Sequence, residues 1–512
     1  MRRSKISALI IACAPGLTSA EEPLTAIDWL QEPAPVTVAQ PWIEPLYRPG
    51  TGAADQDGAS VPGVDVTPLA AAQPDAVGLL PSTSTGLPLS LWQASTTEDV
   101  IGRIDRLPNA TLPALQALIY TVLLAEADPP SDTEATAAFL HARVDALQAY
   151  GAVDAALALV ERAGPQTPLL FDDWLDLSLL RGTEQTVCEV LAQNPTLTDD
   201  LGARVFCLVR TGDWPTAALI FDTGRTLNQL DPVNIEQLAL FLDLEFGSTG
   251  LDLPPPRSVT PLLFRLYEAN GAPLPTRSLR LEFAAADLRG TNGWRSEIEA
   301  AERLARTGAL PANRLLGLYT ARRPAASGGI WDRVEHLQVF DRAMIAGDET
   351  RIAQSLPIVW EDMLDAGLGV VFATLYGDRL ARLSLPGLDQ TVHGISLLSQ
   401  SYARHTGKVQ SRSAQFLDGV ALGSPDVNLA VTPTEMAIAR AFEQTLPARR
   451  YAGALSQGKL GEVVLDVIID LDRAVLGRSA QIEGTLATLR FVGLEDVARQ
   501  AALQILLLPP SS

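Results

Sequence analysis

From Glu98 onward, apolar residues recur at intervals of three and four rather than two. Leu112, Leu115, Leu118, Ile119, Val122 and Leu123 fall on one stripe, which predicts an amphipathic helix with Pro113 in its first turn. Val144, Leu147, Leu157 and Val160 carry the same period past Gly151. No long β-branched alternation interrupts it, and segments rich in Leu and Ala favour helix on propensity as well. The expected fold class is all-α.

A second pattern lies on top of the first. Tyr150-Gly151-Ala152-Val153-Asp154-Ala155-Ala156-Leu157 has the form of a helix–turn–helix joint, with a glycine where a helix ends in the left-handed region. Arg181-Gly182-Thr183-Glu184 repeats it 31 residues later, and Thr211-Gly212-Asp213-Trp214-Pro215 does so 30 residues after that. Val492-Gly493-Leu494-Glu495 has the same form near the end, and Gly308 and Gly347 close helices in between. Gly212-Asp213-Trp214 followed by Ala217-Ala218-Leu219 resembles a tetratricopeptide-type repeat, a family in which small residues let paired helices approach closely. That resemblance, over about 140–245 and the last 50 residues, implies a degenerate α-solenoid of stacked helix pairs.

Proline and glycine clusters set the expected divisions. Residues 96–250 form a helical repeat block that ends at Phe246-Gly247-Ser248-Thr249-Gly250 and Pro254-Pro255-Pro256. A second block covers 251–385 and stops at Leu385-Pro386-Gly387; a third covers 386–512. Residues 21–95 carry a proline every few positions, which removes backbone donors and fixes φ, so they are expected to be a disordered linker. Two apolar islands interrupt it. The one around Ala76–Leu80, with Leu87 and Trp92, is expected to dock on the body; Trp29 is a candidate motif for a partner.

Residues 1–20 have the layout of a secretory signal: Arg2, Arg3 and Lys5, then the apolar run Ile6–Ala14, then Thr18-Ser19-Ala20. Their removal would take the net charge from −21 to −24. The expected location is the periplasm. Ile10-Ile11-Ala12-Cys13 also reads as a lipobox, so the alternative is a lipid anchor through Cys13, the only route by which a membrane contact is expected. Only Lys5, Lys408 and Lys459 are lysines against abundant Arg and Ala, a composition similar to exported envelope proteins of alphaproteobacteria.

With 39 basic against 60 acidic residues, the chain is a poor match for nucleic acid. Past the signal, only Cys188 and Cys207 remain. A turn near Pro195-Thr196 would set them opposite each other in an antiparallel helix pair, and an exported protein would join them. His141, His336, His393 and His405 have no metal-ligand spacing and read as surface or capping residues, and no cofactor is expected. Nucleophile-elbow, zinc-protease, phosphate-loop and dinucleotide motifs are missing. Ser456-Gln457-Gly458-Lys459 fits a Ser-x-x-Lys dyad but lacks its partner motifs.

The most unusual candidate surface is the stretch from Leu318 to Arg333. Tyr319, Arg322, Arg323, Ser327, Gly328, Gly329 and Trp331 together offer two guanidinium forks, a flexible glycine pair and two aromatic anchors; the alternative is a plain loop between helices, with Arg322 and Arg323 paired to the protein's own acids and Trp331 in the core. The sequence thus reads as a non-catalytic helical scaffold that binds an envelope protein or peptide. Its rival is a peptidoglycan-acting enzyme, or the regulator of one, with a helical substrate arm.

Overall fold

The computed structural model describes residues 73–509 apart from 110–111, 135, 243–255 and 476–480. The signal, Cys13, Trp29 and the glycine–proline boundary near 250 lie outside the described residues. Those described hold twenty-four α-helices, twenty-two of them eight residues or longer, and no strand beyond an isolated bridge between Leu80 and Ala125. No described helix is long and apolar enough to cross a membrane.

The first run is α1 (Thr97–Ile104), α2 (Pro113–Leu124), α3 (Ala138–Ala149), α4 (Val153–Ala163), α5 (Phe171–Arg181), α6 (Glu184–Gln193), α7 (Leu201–Thr211), α8 (Trp214–Thr226), α9 (Pro232–Leu242) and α10 (Pro261–Ala269). From α3 to α10 each helix packs on the next. Pro113 opens α2, where its missing N–H costs nothing. The recurring glycines sit at the joints: Gly151 between α3 and α4, Gly182 between α5 and α6, Gly212 between α7 and α8, all with positive φ. The residue after each glycine donates its N–H back five positions, as Thr183 does to Ser178 O at 2.9 Å and Asp213 to Leu208 O at 2.8 Å. This is the Schellman closure, and it turns the chain sharply enough to lay the next helix antiparallel. Ala156 and Ala217 are fully buried at the pair contacts.

A second run follows: α11 (Trp294–Arg306), α12 (Ala312–Thr320), α13 (Ile330–Ala346), α14 (Glu349–Asp365), α15 (Gly369–Leu380) and α16 (Asp389–Leu397). It has its own apolar core around Phe340, Leu356, Phe372 and Tyr376. The last run is α17 (Arg412–Leu422), α18 (Pro433–Glu443), α19 (Arg449–Ser456), α20 (Leu460–Val475), α21 (Ile482–Phe491) and α22 (Glu495–Leu507). Thr432 and Glu435 form a capping box at the start of α18, and Gly493 closes α21 before α22.

The last run does not extend the array as a separate block. α22 packs on α2 and α17, and α20 packs on α1 and α2, so the first and last runs share one apolar core. The described residues belong to a single compact unit.

The linker expected over 21–95 does not extend through 73–95. Residues 73–95 are folded against the body, with Leu87, Leu91 and Trp92 buried. Their backbone finds partners despite the prolines: Leu79 and Leu80 donate to Leu124 O, and Glu126 donates to Leu80 O. The fully buried Arg143 of α3 ties the segment down, donating to Val77 O and Leu123 O at 2.7 Å each. Asp75 accepts from Leu140 N–H at 2.7 Å.

Candidate functional site

The stretch singled out in the sequence joins α12 to α13. Tyr319 lies in the last turn of α12, is 1% exposed, and its hydroxyl donates to Glu302 Oε1 of α11 at 2.6 Å. Arg333 of α13 forks onto the same carboxylate, Nε to Oε1 and Nη2 to Oε2 at 2.9 Å each. Burial, and then the Glu302 charge, push the Tyr319 hydroxyl well above its ordinary pKa, so it stays a proton donor. Trp331, in the first turn of α13, packs half-buried on Trp294 with ring centroids 5.1 Å apart. Neither aromatic is therefore an exposed anchor, and Trp331 packs inward as the plain-loop alternative expects. Both are used to fix the ends of the loop.

What remains at the surface is Arg322, Arg323, Ser327, Gly328 and Gly329, all exposed. Gln338 of α13 donates to Tyr319 O and Arg322 O at 2.7 Å each, holding the start of the loop. Gly328 N–H donates to Asp332 Oδ1 at 2.8 Å, holding its end, and Gly328 and Gly329 both have positive φ. Arg322 and Arg323 make no ion pair among the described residues, whereas Arg306 and Arg333 on either side are engaged by Glu302. A pair of free guanidinium groups on a braced loop can take a carboxylate or phosphate in bidentate fashion.

A second charged surface was not singled out in the sequence. Asp172, Asp173 and Asp176 stand one and four positions apart on α5. His141 of α3 contacts Asp173 Oδ2 through Nδ1 at 2.6 Å. Burial, followed by the charges of Asp172, Asp173 and Asp200, raises Asp176 to about 7. Burial likewise raises Asp145 and Asp172, while the hydrogen bond with Asp173 raises His141. The signal was legible in Phe171-Asp172-Asp173-Trp174-Leu175-Asp176, where helical spacing places three acids close together.

Each of the four histidines meets one aspartate: His141 with Asp173, His336 with Asp362, His393 with Asp418 and His405 with Asp378. His393 departs from the surface role expected of it, being 4% exposed. Its Nε2 stands 3.1 Å from Asp418 Oδ1, out of line for a hydrogen bond, and burial lowers its pKa. It lines a cleft of about 70 Å³ with His405, Lys408 and Asp389. No described group of three His, Cys, Asp or Glu side chains is placed to hold a metal ion.

Cys188 of α6 and Cys207 of α7 are joined in a disulfide across 19 residues, with both sulfurs in the core. A loop of that length contributes about 3 kcal/mol in the chain-entropy account. Ser456 and Lys459 do not form a dyad: Ser456 Oγ donates to Gly453 O at 2.7 Å, and Lys459 Nζ is held by Glu462 at 3.0 Å. No protein-family model matches this chain, and no curated protein and no solved structure matches it either.

Proposed function

We propose that this chain is an exported, non-catalytic helical-repeat scaffold that binds an acidic segment of an envelope protein or peptide through Arg322 and Arg323. The observation that carries the reading is the pairing of two exposed, uncompensated guanidinium groups on a loop anchored at both ends. In a chain of net charge −21 such a patch stands out against a field that on the whole repels an acidic partner. The periplasm is the proposed location, with a lipid anchor at Cys13 as the alternative.

Pull-down from a periplasmic extract, with the wild type and an Arg322→Ala/Arg323→Ala double variant, tests it. A partner lost only in the variant, and released by salt from the wild type, supports the reading. Identical partner sets remove it.

The rival, an enzyme acting on peptidoglycan or its regulator, has one observation in its favour. Asp176, raised to about 7 by burial, would be about half protonated at neutral pH, within reach of a general acid's task, although it lines neither the cleft at His393 nor the one beside Gln504. Release of soluble fragments from purified sacculi by the wild type but not by Asp176→Asn would favour that reading over the scaffold.

A further inference from the structure

α2 and α22 pack on each other and on the middle of the molecule. Ala114 N–H of α2 donates to Gln504 Oε1 of α22 at 2.9 Å. Beside that bond lies a cleft of about 160 Å³, room for roughly five waters at ~30 Å³ each. Its walls come from α2, α15, the end of α16, and α22, and no side chain lining it carries a charge.

The polar groups in the cleft are hydrogen-bonding groups with capacity left over. Gln504 is 4% exposed; its carbonyl is taken by Ala114, and its amide nitrogen, which has no hydrogen-bond partner among the described residues, is left to the cleft. Gln400, at the mouth, is unbonded through either amide atom. Gln500 gives its Nε2 to Asp496 at 2.9 Å and keeps its carbonyl as an acceptor. Thr374 Oγ1 donates to Val370 O at 2.9 Å and keeps its lone pairs. The carboxylates behind the wall already have partners, Asp496 in Gln500 and Tyr402, and Asp378 in Ser399, Ser401 and His405. Ala117 and Val370 add apolar wall.

A charged ligand would give up its hydration for a space that offers no counter-ion. A wholly apolar one would cover the Gln504 amide without satisfying it. We propose that this cleft binds a small uncharged polyol, up to the size of one sugar ring, with its hydroxyls on Gln400, Gln500 and Gln504 and its C–H surface on Ala117 and Val370. Because the walls belong to helices far apart in the chain, an occupant ties them together and raises the thermal midpoint.

Glucose is the neutral probe; gluconate and glucosamine are near-isosteric anionic and cationic controls. Ligand-observed NMR and thermal unfolding of the full chain give the readouts. The expected result is millimolar binding of glucose with a raised midpoint, and weaker binding of both controls. Ala117→Leu changes an exposed helix position and fills the cleft, so it should abolish binding with the helical circular dichroism unchanged. Gln400→Ala, at the exposed mouth, should weaken binding about tenfold. No effect of glucose, equal binding of the charged analogues, or wild-type binding by both variants would overturn the site.

Discussion

At the scale of single residues, the acids of α5 set the pH response. Asp176 has a carboxyl raised from an ordinary 3.8 to about 7 by burial and by its neighbours Asp172, Asp173 and Asp200. Between those values the folded chain holds a proton that the unfolded chain has lost, so stability falls as pH rises, and the penalty is complete above about 7. His141 works in the same direction. Its raised pKa gives stability that is full below the ordinary 6.5 and lost as pH rises through the folded value. His393 opposes them, since burial lowers its pKa and its contribution is lost as pH falls through that value. Asp176→Asn removes the largest of these effects. Urea unfolding at pH 8 should show the variant more stable by up to about 4 kcal/mol, with the difference vanishing near pH 4. A variant that runs parallel to the wild type across that range would mean Asp176 ionises normally.

At the scale of elements, the joints between helices carry the architecture, and two glycines separate conformation from packing. Gly212 has φ of 92° and nothing within 4 Å of where a Cβ would stand. Gly212→Ala should therefore cost only the left-handed strain, about 1 kcal/mol. Gly151 has φ of 76°, and a Cβ there would sit 2.4 Å from Leu304 Cδ2 and 3.0 Å from Leu281 Cγ. Gly151→Ala adds overpacking to strain and should cost about 3 kcal/mol. Denaturant midpoints of the two variants check the contrast; equal losses would mean the Leu304 contact is soft. These joints were legible in the sequence because a residue that must turn left after a helix is written locally, as glycine. The two ends of the 320–330 loop were not. Tyr319 and Trp331 look like loop aromatics beside Arg322 and the Gly pair, but the helices run further than the pattern suggests. Glu302, which fixes both ends, comes from α11. Residues 73–95 were placed in the linker on their proline content, although the docking of Leu87 and Trp92 was legible in the apolar island. Proline density predicts the loss of helix and strand, yet not the loss of packing, because carbonyls and side chains such as Trp92 still find partners.

At the scale of the whole molecule, the feature no local pattern announces is closure. The Ala114–Gln504 bond spans 390 residues, and the core shared by the first and last runs has no periodicity of its own. An open solenoid unfolds by stages, since each repeat touches only its neighbours. A closed one ties α1 and α2 to α20 and α22, and those elements should lose structure together. Gly461 gives a way to ask. It lies in the first turn of α20, its N–H donates to Leu91 O at 3.2 Å, and a Cβ on it would come within 2.3 Å of the Trp92 ring. Trp92 is 2% exposed and cannot swing to solvent without opening the seam. Gly461→Ala should therefore lower the free energy of opening by about 2 kcal/mol, read by native-state hydrogen exchange in both α2 and α22. Helices α13 and α14, in the separate core, should keep wild-type protection. Loss of protection confined to α20 would show that the seam is a surface contact, and that each run stands by its own packing.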